Sequence, residues 1–358
     1  MIAETRFRRP RWEVRAACHL PDRNQFLLHA VRPLLDRVAG TVDCAYFVPH
    51  WRRGPHVRVV VETTQDRFER VVLPSATEVL GGYLAEHRPP VPLDPGAHLA
   101  EHRRLAEVES DPGELLPWYE HGDVLARPHD DRIELLGSAH TADLLVDFYA
   151  RTTASAFAAL ERPGTGSAVG FDLLVATAHT FARDGITNGF IAFRSHAEAF
   201  RWGTPEGRHL RPVWDRHRTE HGPALAERVR ALVTALDAGV GIPSPVASWL
   251  AALRPIAARA TALAPLGLLP ATRQGSDDPV AALRDVSPFH RELASRSWWQ
   301  ATLPTSTWFR VYRVLVNFAY LHLTRIGAMP AQRFLLCHSV ANAVEDAYGV
   351  SAAELVAR

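Results

Sequence analysis

Between Trp12 and Thr63 short apolar runs alternate with polar positions, and one stretch of helical spacing interrupts them. WEVRAACHL, residues 12–20, predicts a strand. QFLLHAVRPLLDRVA, residues 25–39, carries apolar side chains at helical spacing and stops at Gly40, which predicts a helix. VDCAYFVPHW and HVRVVVET flank the turn RRGP, residues 52–55, and predict a hairpin. A further helix is predicted from Thr64 to residue 80.

From Arg88 to Pro117 the chain is rich in Pro, Gly, His and charge, which predicts a loop or extended segment. ADLLVDFYARTTASAFAAL, residues 142–160, reads as an amphipathic helix that ERPGTGSAVG then breaks. Helices are predicted over 171–183, 192–202, 222–238 and 245–263, followed by a second loop-rich stretch at 265–279. Both loop-rich stretches are candidates for mobile loops that close over a substrate. Ser287 and Pro288 give an N-cap and first-turn signature ahead of SPFHRELASRSWWQATL. A long helix, STWFRVYRVLVNFAYLHLTRIG, ends at Gly327, and another runs from Pro330 to Gly349. Strands early and helices late predict an α+β fold, a mixed or antiparallel sheet with flanking helices.

Composition narrows the function classes. The 358 residues are 47% hydrophobic, enough for a sizeable core, and a single domain over 1–358 with helical insertions is expected. A net charge of +1 gives no charged face for general nucleic-acid binding. All 40 basic residues are arginine, so lysine Schiff-base chemistry and a Walker-A lysine are excluded. Cys18, Cys44 and Cys337 are far apart and form no CxxC pair, which argues against a zinc knuckle or a disulfide framework. The N-terminal charges have no apolar segment behind them, and no apolar run reaches membrane-spanning length. A cytoplasmic protein without a membrane partner is therefore expected.

The common cofactor and nucleophile signatures GxGxxG, GxxxxGK, HExxH and GxSxG are missing. What stands out is the strand that begins Gly54-Pro55-His56-Val57-Arg58. Side chains alternate along a strand, so His56, Arg58 and Val60 share one face, and Val57, Val59 and Val61 share the other. Either this is a half-buried strand with one wet face, or His56 and Arg58 line a pocket and hold an amide or carboxylate.

WRRGPHVRVVV, residues 51–61, resembles the Gly-Pro-His-hydrophobic-Arg-hydrophobic-Arg stretch of the lantibiotic dehydratase C-terminal family. RIELLGSAHTADLLVDFYARTTASA resembles the family's Arg-Tyr-Gly-Gly segment and the helix after it. NFAYLHLTRIG, residues 317–327, is similar to its Ser-x-x-His-Met-x-x-Asn-Arg-Leu-Gly. The resemblance implies an elimination-domain fold acting on ribosomally made peptides, where members remove glutamate from glutamylated Ser or Thr. The departures change that implication. Val60 stands where the second arginine is expected, Leu135 falls at or near the arginine of Arg-Tyr-Gly-Gly, and Tyr320 and Thr324 take the places of the histidine and asparagine. Valine and leucine cannot grip a carboxylate. A tyrosine of pKa about 10 is a donor rather than a base at neutral pH.

A branch with this pattern is the thiopeptide pyridine synthases. They join two dehydroalanines of one leader-bearing precursor peptide by a formal [4+2] aza-cycloaddition, lose water, and release the leader to leave a pyridine inside a macrocycle. The resemblance implies no metal or organic cofactor. It implies Tyr320 as acid or donor, Asn317 one turn earlier to fix a substrate amide, and Arg58 and His56 along the pocket. Ser287 and His290 would bind a polarised carbonyl at their helix start. Tyr312 lies on the same helix as Tyr320, and Trp298, Trp299 and Trp308 would wall thiazole rings. His338 with Asn342 is a second match to the family's histidine and asparagine. A leader-peptide site is expected, with strand addition to the early sheet as its form. Two other activities stay open: a stand-alone glutamate-eliminating lyase with His338 or His56 as base, and a non-catalytic leader-peptide-binding partner.

Overall fold

The computed structural model describes residues 9–109, 113–162, 164, 166–270, 283–297 and 305–357. The chain divides after Asp131 into two compact units.

The first unit holds a four-stranded sheet of β1 (Arg11–Ala17), β2 (Cys44–His50), β3 (His56–Glu62) and β4 (Val124–Pro128). Its order is β2-β3-β1-β4, and the pairings are antiparallel. Helix α1 (residues 23–38) joins β1 to β2, and α2 (residues 65–86) follows β3 from an N-cap at Thr64. The hairpin between β2 and β3 turns through Arg53 and Gly54, both at positive φ. A Cβ on Gly54 would also lie 3.1 Å from the Trp118 ring, so the glycine of the Gly-Pro-His stretch serves both the turn and a close approach. The alternation has a physical outcome. Trp12, Val14 and Ala16 share a face of β1, and Trp12 stacks on Phe68 of α2 at 4.8 Å, so this is the face the helices cover. The opposite face carries the charged residues.

The second unit is helical. Helices α4 (Ile133–Leu136), α5 (Ala139–Leu160), α6 (Gly166–Phe181), α7 (Ile186–Gly203), α8 (Pro205–Ala238), α9 (Ser244–Leu263), α10 (Pro288–Ala294), α11 (Thr307–Arg325), α12 (Pro330–Tyr348) and α13 (Ala352–Ala357) follow in order. Every residue from Gly170 to Ala178 of α6 is buried, Asp172 and Thr177 included, and α7, α8, α9, α11 and α12 pack around it. Arg325, 1% exposed, donates to the Tyr149 carbonyl and Thr152 Oγ at 3.1 Å and to Thr153 Oγ at 2.5 Å. It pins the end of α11 to α5, so the Arg-Ile-Gly of the third sequence stretch is a structural tie.

Three expectations change. The segment 88–117 is not all loop, because α3 (Pro95–Glu109) occupies its middle. The helix predicted at 222–238 starts at Pro205, where the Thr204 side chain accepts from the Gly207 amide at 2.9 Å. It passes through Pro212 and Pro223 because Trp214, Ala226, Val229 and Leu232 give it a buried face on α7 and α12. Strand β4 was not expected, since its residues Leu125 to Pro128 are exposed and carry no inward alternation. Of the stretch 265–279, residues 271–279 lie outside the described residues.

Candidate active site

In the first unit the strand register brings the charged side chains together. Glu13 and Arg15 of β1 sit opposite Val60 and Arg58 of β3, and His56 sits opposite Ala17. Glu13 is 1% exposed and is the hub. Arg15 Nε donates to one carboxylate oxygen at 2.5 Å, while Arg58 Nε at 2.8 Å and His129 Nδ1 at 3.0 Å reach the other. Arg58 Nη2 reaches that oxygen as well. Burial alone would push the carboxyl up. The His129 hydrogen bond and the Arg58 and Arg15 charges outweigh it and hold Glu13 well below the usual carboxylate range. Arg15 also donates to the Tyr119 hydroxyl at 2.7 Å, and Tyr119 borders a cavity of about 620 Å³ lined by Leu84, Arg88, Leu93, Trp118 and His121.

Arg58 therefore does hold a carboxylate, but it is the protein's own. His56 is buried, and its Nδ1 donates to the Gly54 carbonyl at 2.9 Å, which leaves Nε2 without a partner. Burial pushes its pKa down to about 4 despite that bond, and Arg15 and Arg58 add to the effect. Neither outcome is the wet strand face that simple alternation offers.

In the second unit Tyr320 of α11 is buried with its hydroxyl 2.5 Å from His196 Nδ1 of α7 and 3.3 Å from Cys337 Sγ of α12. The Arg333 guanidinium lies 5.5 Å from the Tyr320 ring centroid. Burial, with Cys337 second, pushes the phenol well above its ordinary value, so it stays protonated. The His196 pKa falls to about 4, first from burial and then from the Arg333, His290 and Arg313 charges. The residue before it, Ser195, has its Oγ 3.0 Å from His290 Nε2, and His290 Nδ1 is 2.8 Å from Ser287 Oγ. Ser287 is also the N-cap of α10, accepting from the His290 amide. Burial pushes His290 down to about 4.

The other expected residues fall in different settings. Asn317 is exposed on α11 one turn before Tyr320. Tyr312 is buried, and its hydroxyl donates to the Gly189 carbonyl at 2.8 Å. Trp308 lines a cavity of about 490 Å³ with Phe181, Ala257 and Thr261, roughly 18 Å along the helix from Tyr320 at 1.5 Å per residue. Trp298 and Trp299 lie outside the described residues. His338 is buried, its Nε2 accepts from Asn342 Nδ2 at 2.9 Å, and its pKa is pushed down to about 3 by burial and then by nearby arginines. Glu13, His129, Ser195 and His196 are not among the residues singled out from the sequence. An acidic residue inside an apolar strand and a Ser-His pair inside a helix were the available signals.

The profile described as lantibiotic biosynthesis dehydratase C-term matches residues 12–344. The chain belongs to this family. Among solved structures it is similar to the pyridine synthase TbtD from thiomuracin biosynthesis, at 36% identity and a TM-score of 0.77, over 96% of this chain and 100% of that one. It also matches TsrL at 21% identity and a TM-score of 0.72, over 97% of each chain, which is a likeness of fold. No curated protein matches. The family match runs through all three sequence stretches, so the positions of Val60 and Tyr320 belong to the same framework as the glycines and arginines around them. Among the described residues no helix is long and apolar enough to cross a membrane.

Proposed function

We propose that this chain is a pyridine-forming cyclase of thiopeptide biosynthesis, acting on a modified peptide that still carries its leader. The observation that carries this reading is the 36% identity to a pyridine synthase along the whole of that protein. In the proposed reaction one dehydroalanine becomes a 2-azadiene when its amide proton moves from nitrogen to oxygen. Two carbon–carbon bonds to the second dehydroalanine close the ring. The former amide oxygen leaves as water and the leader leaves as its carboxamide. These two eliminations reach the aromatic level without an oxidant.

The chain's task is to orient two segments of a flexible peptide and to stabilise the azadiene tautomer. Orientation of this kind is worth roughly 7–11 kcal/mol, and one donor aimed at developing charge about 3–4 kcal/mol. We assign the second task to the polar cluster around Tyr320, with Ser287 and His290 fixing its neighbour Ser195. Asn317, exposed on the same helix, is proposed to hold a substrate amide. Arg58 and His56 are proposed to shape the charged sheet face. The sheet has β2 and β4 at its edges, and strand addition there is the proposed mode of leader binding.

Glutamate elimination is the less favoured activity. Val60 is a buried apolar side chain opposite Glu13, and the accepting nitrogen of His338 is already taken by Asn342. The deciding experiment is mass spectrometry of a leader-bearing peptide with two dehydroalanines incubated with the purified chain. Release of an intact leader amide, with a core lighter by that leader and one water, is the expected result. An unchanged peptide that nevertheless binds would point to a binding partner, and loss of glutamate from a glutamylated peptide would point to the lyase.

A further inference from the structure

The Tyr320 hydroxyl meets two polar partners inside the protein, His196 Nδ1 and Cys337 Sγ. The Cys337 thiol is placed to donate to its oxygen, and its own hydrogen is placed to go to His196 Nδ1. With the phenol as donor, His196 carries its proton on Nε2. Tyr320 is buried, whereas His196 is half-buried. Of the two hydrogen-bonded rings the imidazole therefore belongs to the more exposed residue. Ser195, tethered through His290 to Ser287, fixes the same turn of α7.

We propose that His196 Nε2–H, rather than the Tyr320 hydroxyl, is the donor that meets the substrate amide oxygen, and that Tyr320 is a positioning residue that sets the His196 tautomer. This rests on the function proposed above. A neutral imidazole suits the role. With its pKa near 4, His196 carries one proton at neutral pH, so Nε2–H donates while Nδ1 accepts from Tyr320. An imidazolium could keep the Tyr320 contact only by reversing it, with Nδ1–H donating to the phenol oxygen.

Two readouts test this on the full-length chain. In the ¹⁵N spectrum of the imidazoles, His196 is expected as the Nε2–H tautomer, and Tyr320→Phe is expected to let the Nδ1–H form appear. With the leader-bearing bis-dehydroalanine peptide, His196→Ala is expected to lower kcat about 10²–10³-fold with little change in KM. His196→Gln keeps an N–H near the Nε2 position and is expected to recover a large part of that loss. Tyr320→Phe is expected to cost less than His196→Ala. A wild-type His196 found as the Nδ1–H form overturns the proposal. So does His196→Ala at wild-type rate beside an inactive Tyr320→Phe, which would make the phenol the donor. A wild-type chain that leaves the peptide unchanged overturns the functional reading instead, and the tautomer spectrum then still reports whether Tyr320 orients His196.

Discussion

Glu13 links β1, β3 and the segment after β4 through one carboxylate, and its removal has an asymmetric consequence. Arg15, Arg58 and His129 were desolvated to meet it. Without it the two guanidiniums face each other on adjacent strands at paired positions. Breaking a buried ion pair by deleting one partner typically costs about 3–5 kcal/mol, more than the pair itself contributes. Glu13→Ala is expected to fall in that range in urea unfolding, and Glu13→Gln, which keeps the shape, to cost less. A loss under about 1 kcal/mol for Glu13→Ala would mean that water already shares the site. At this scale the sequence was half legible. Alternation placed His56 and Arg58 on one face correctly, but strand register, which no local pattern states, decided that Glu13 would be there to meet Arg58.

Helix ends were the most legible elements, because their chemistry is local. Thr64, Ser287, Pro288, Pro330 and Gly349 each occupy the cap or first-turn position their residue type favours. Contacts between helices are not local, and α7 shows what they demand. A Cβ on Gly189 would sit 2.8 Å from the Ala178 carbonyl oxygen and 2.9 Å from the Ala178 Cβ, so α6 and α7 touch backbone to backbone there. The same residue's carbonyl accepts from Tyr312 of α11. Gly189→Ala must move α7, the helix that carries Ser195 and His196. Overpacking of this kind costs about 1–3 kcal/mol. The variant is expected to unfold at lower temperature and to lengthen the Tyr320–His196 bond, visible as a downfield-to-upfield shift of the tyrosine hydroxyl proton. A variant with unchanged stability and an unchanged hydroxyl signal would show that the helices separate without disturbing the cluster.

On the scale of the whole chain, the buried histidines tie stability to pH. The pKa values of His56, His196 and His290 are pushed down to about 4, and those of His322 and His338 to about 3, in each case first by burial. The chain's 18 histidines are plain in its sequence, but which of them are buried is not, because burial comes from elements far apart in the chain. In the unfolded chain an imidazole binds its proton near pH 6.5. As the pH drops below about 6.5 the unfolded state therefore takes up protons that the folded state refuses until about pH 4 or 3. Stability is complete above 6.5 and falls through that window, by up to about 1.4 kcal/mol per pH unit for each group. Glu13 adds a loss of the same sign only below about pH 4.3, where an unfolded glutamate protonates and the folded one does not. The urea midpoint is thus expected to be level between pH 8 and 7, to fall steadily from pH 6.5 to 4.5, and to fall less steeply in a His322→Gln, His338→Gln double variant. A midpoint that holds from pH 7.5 to 5 would mean that these imidazoles find protons, and water, inside the folded chain.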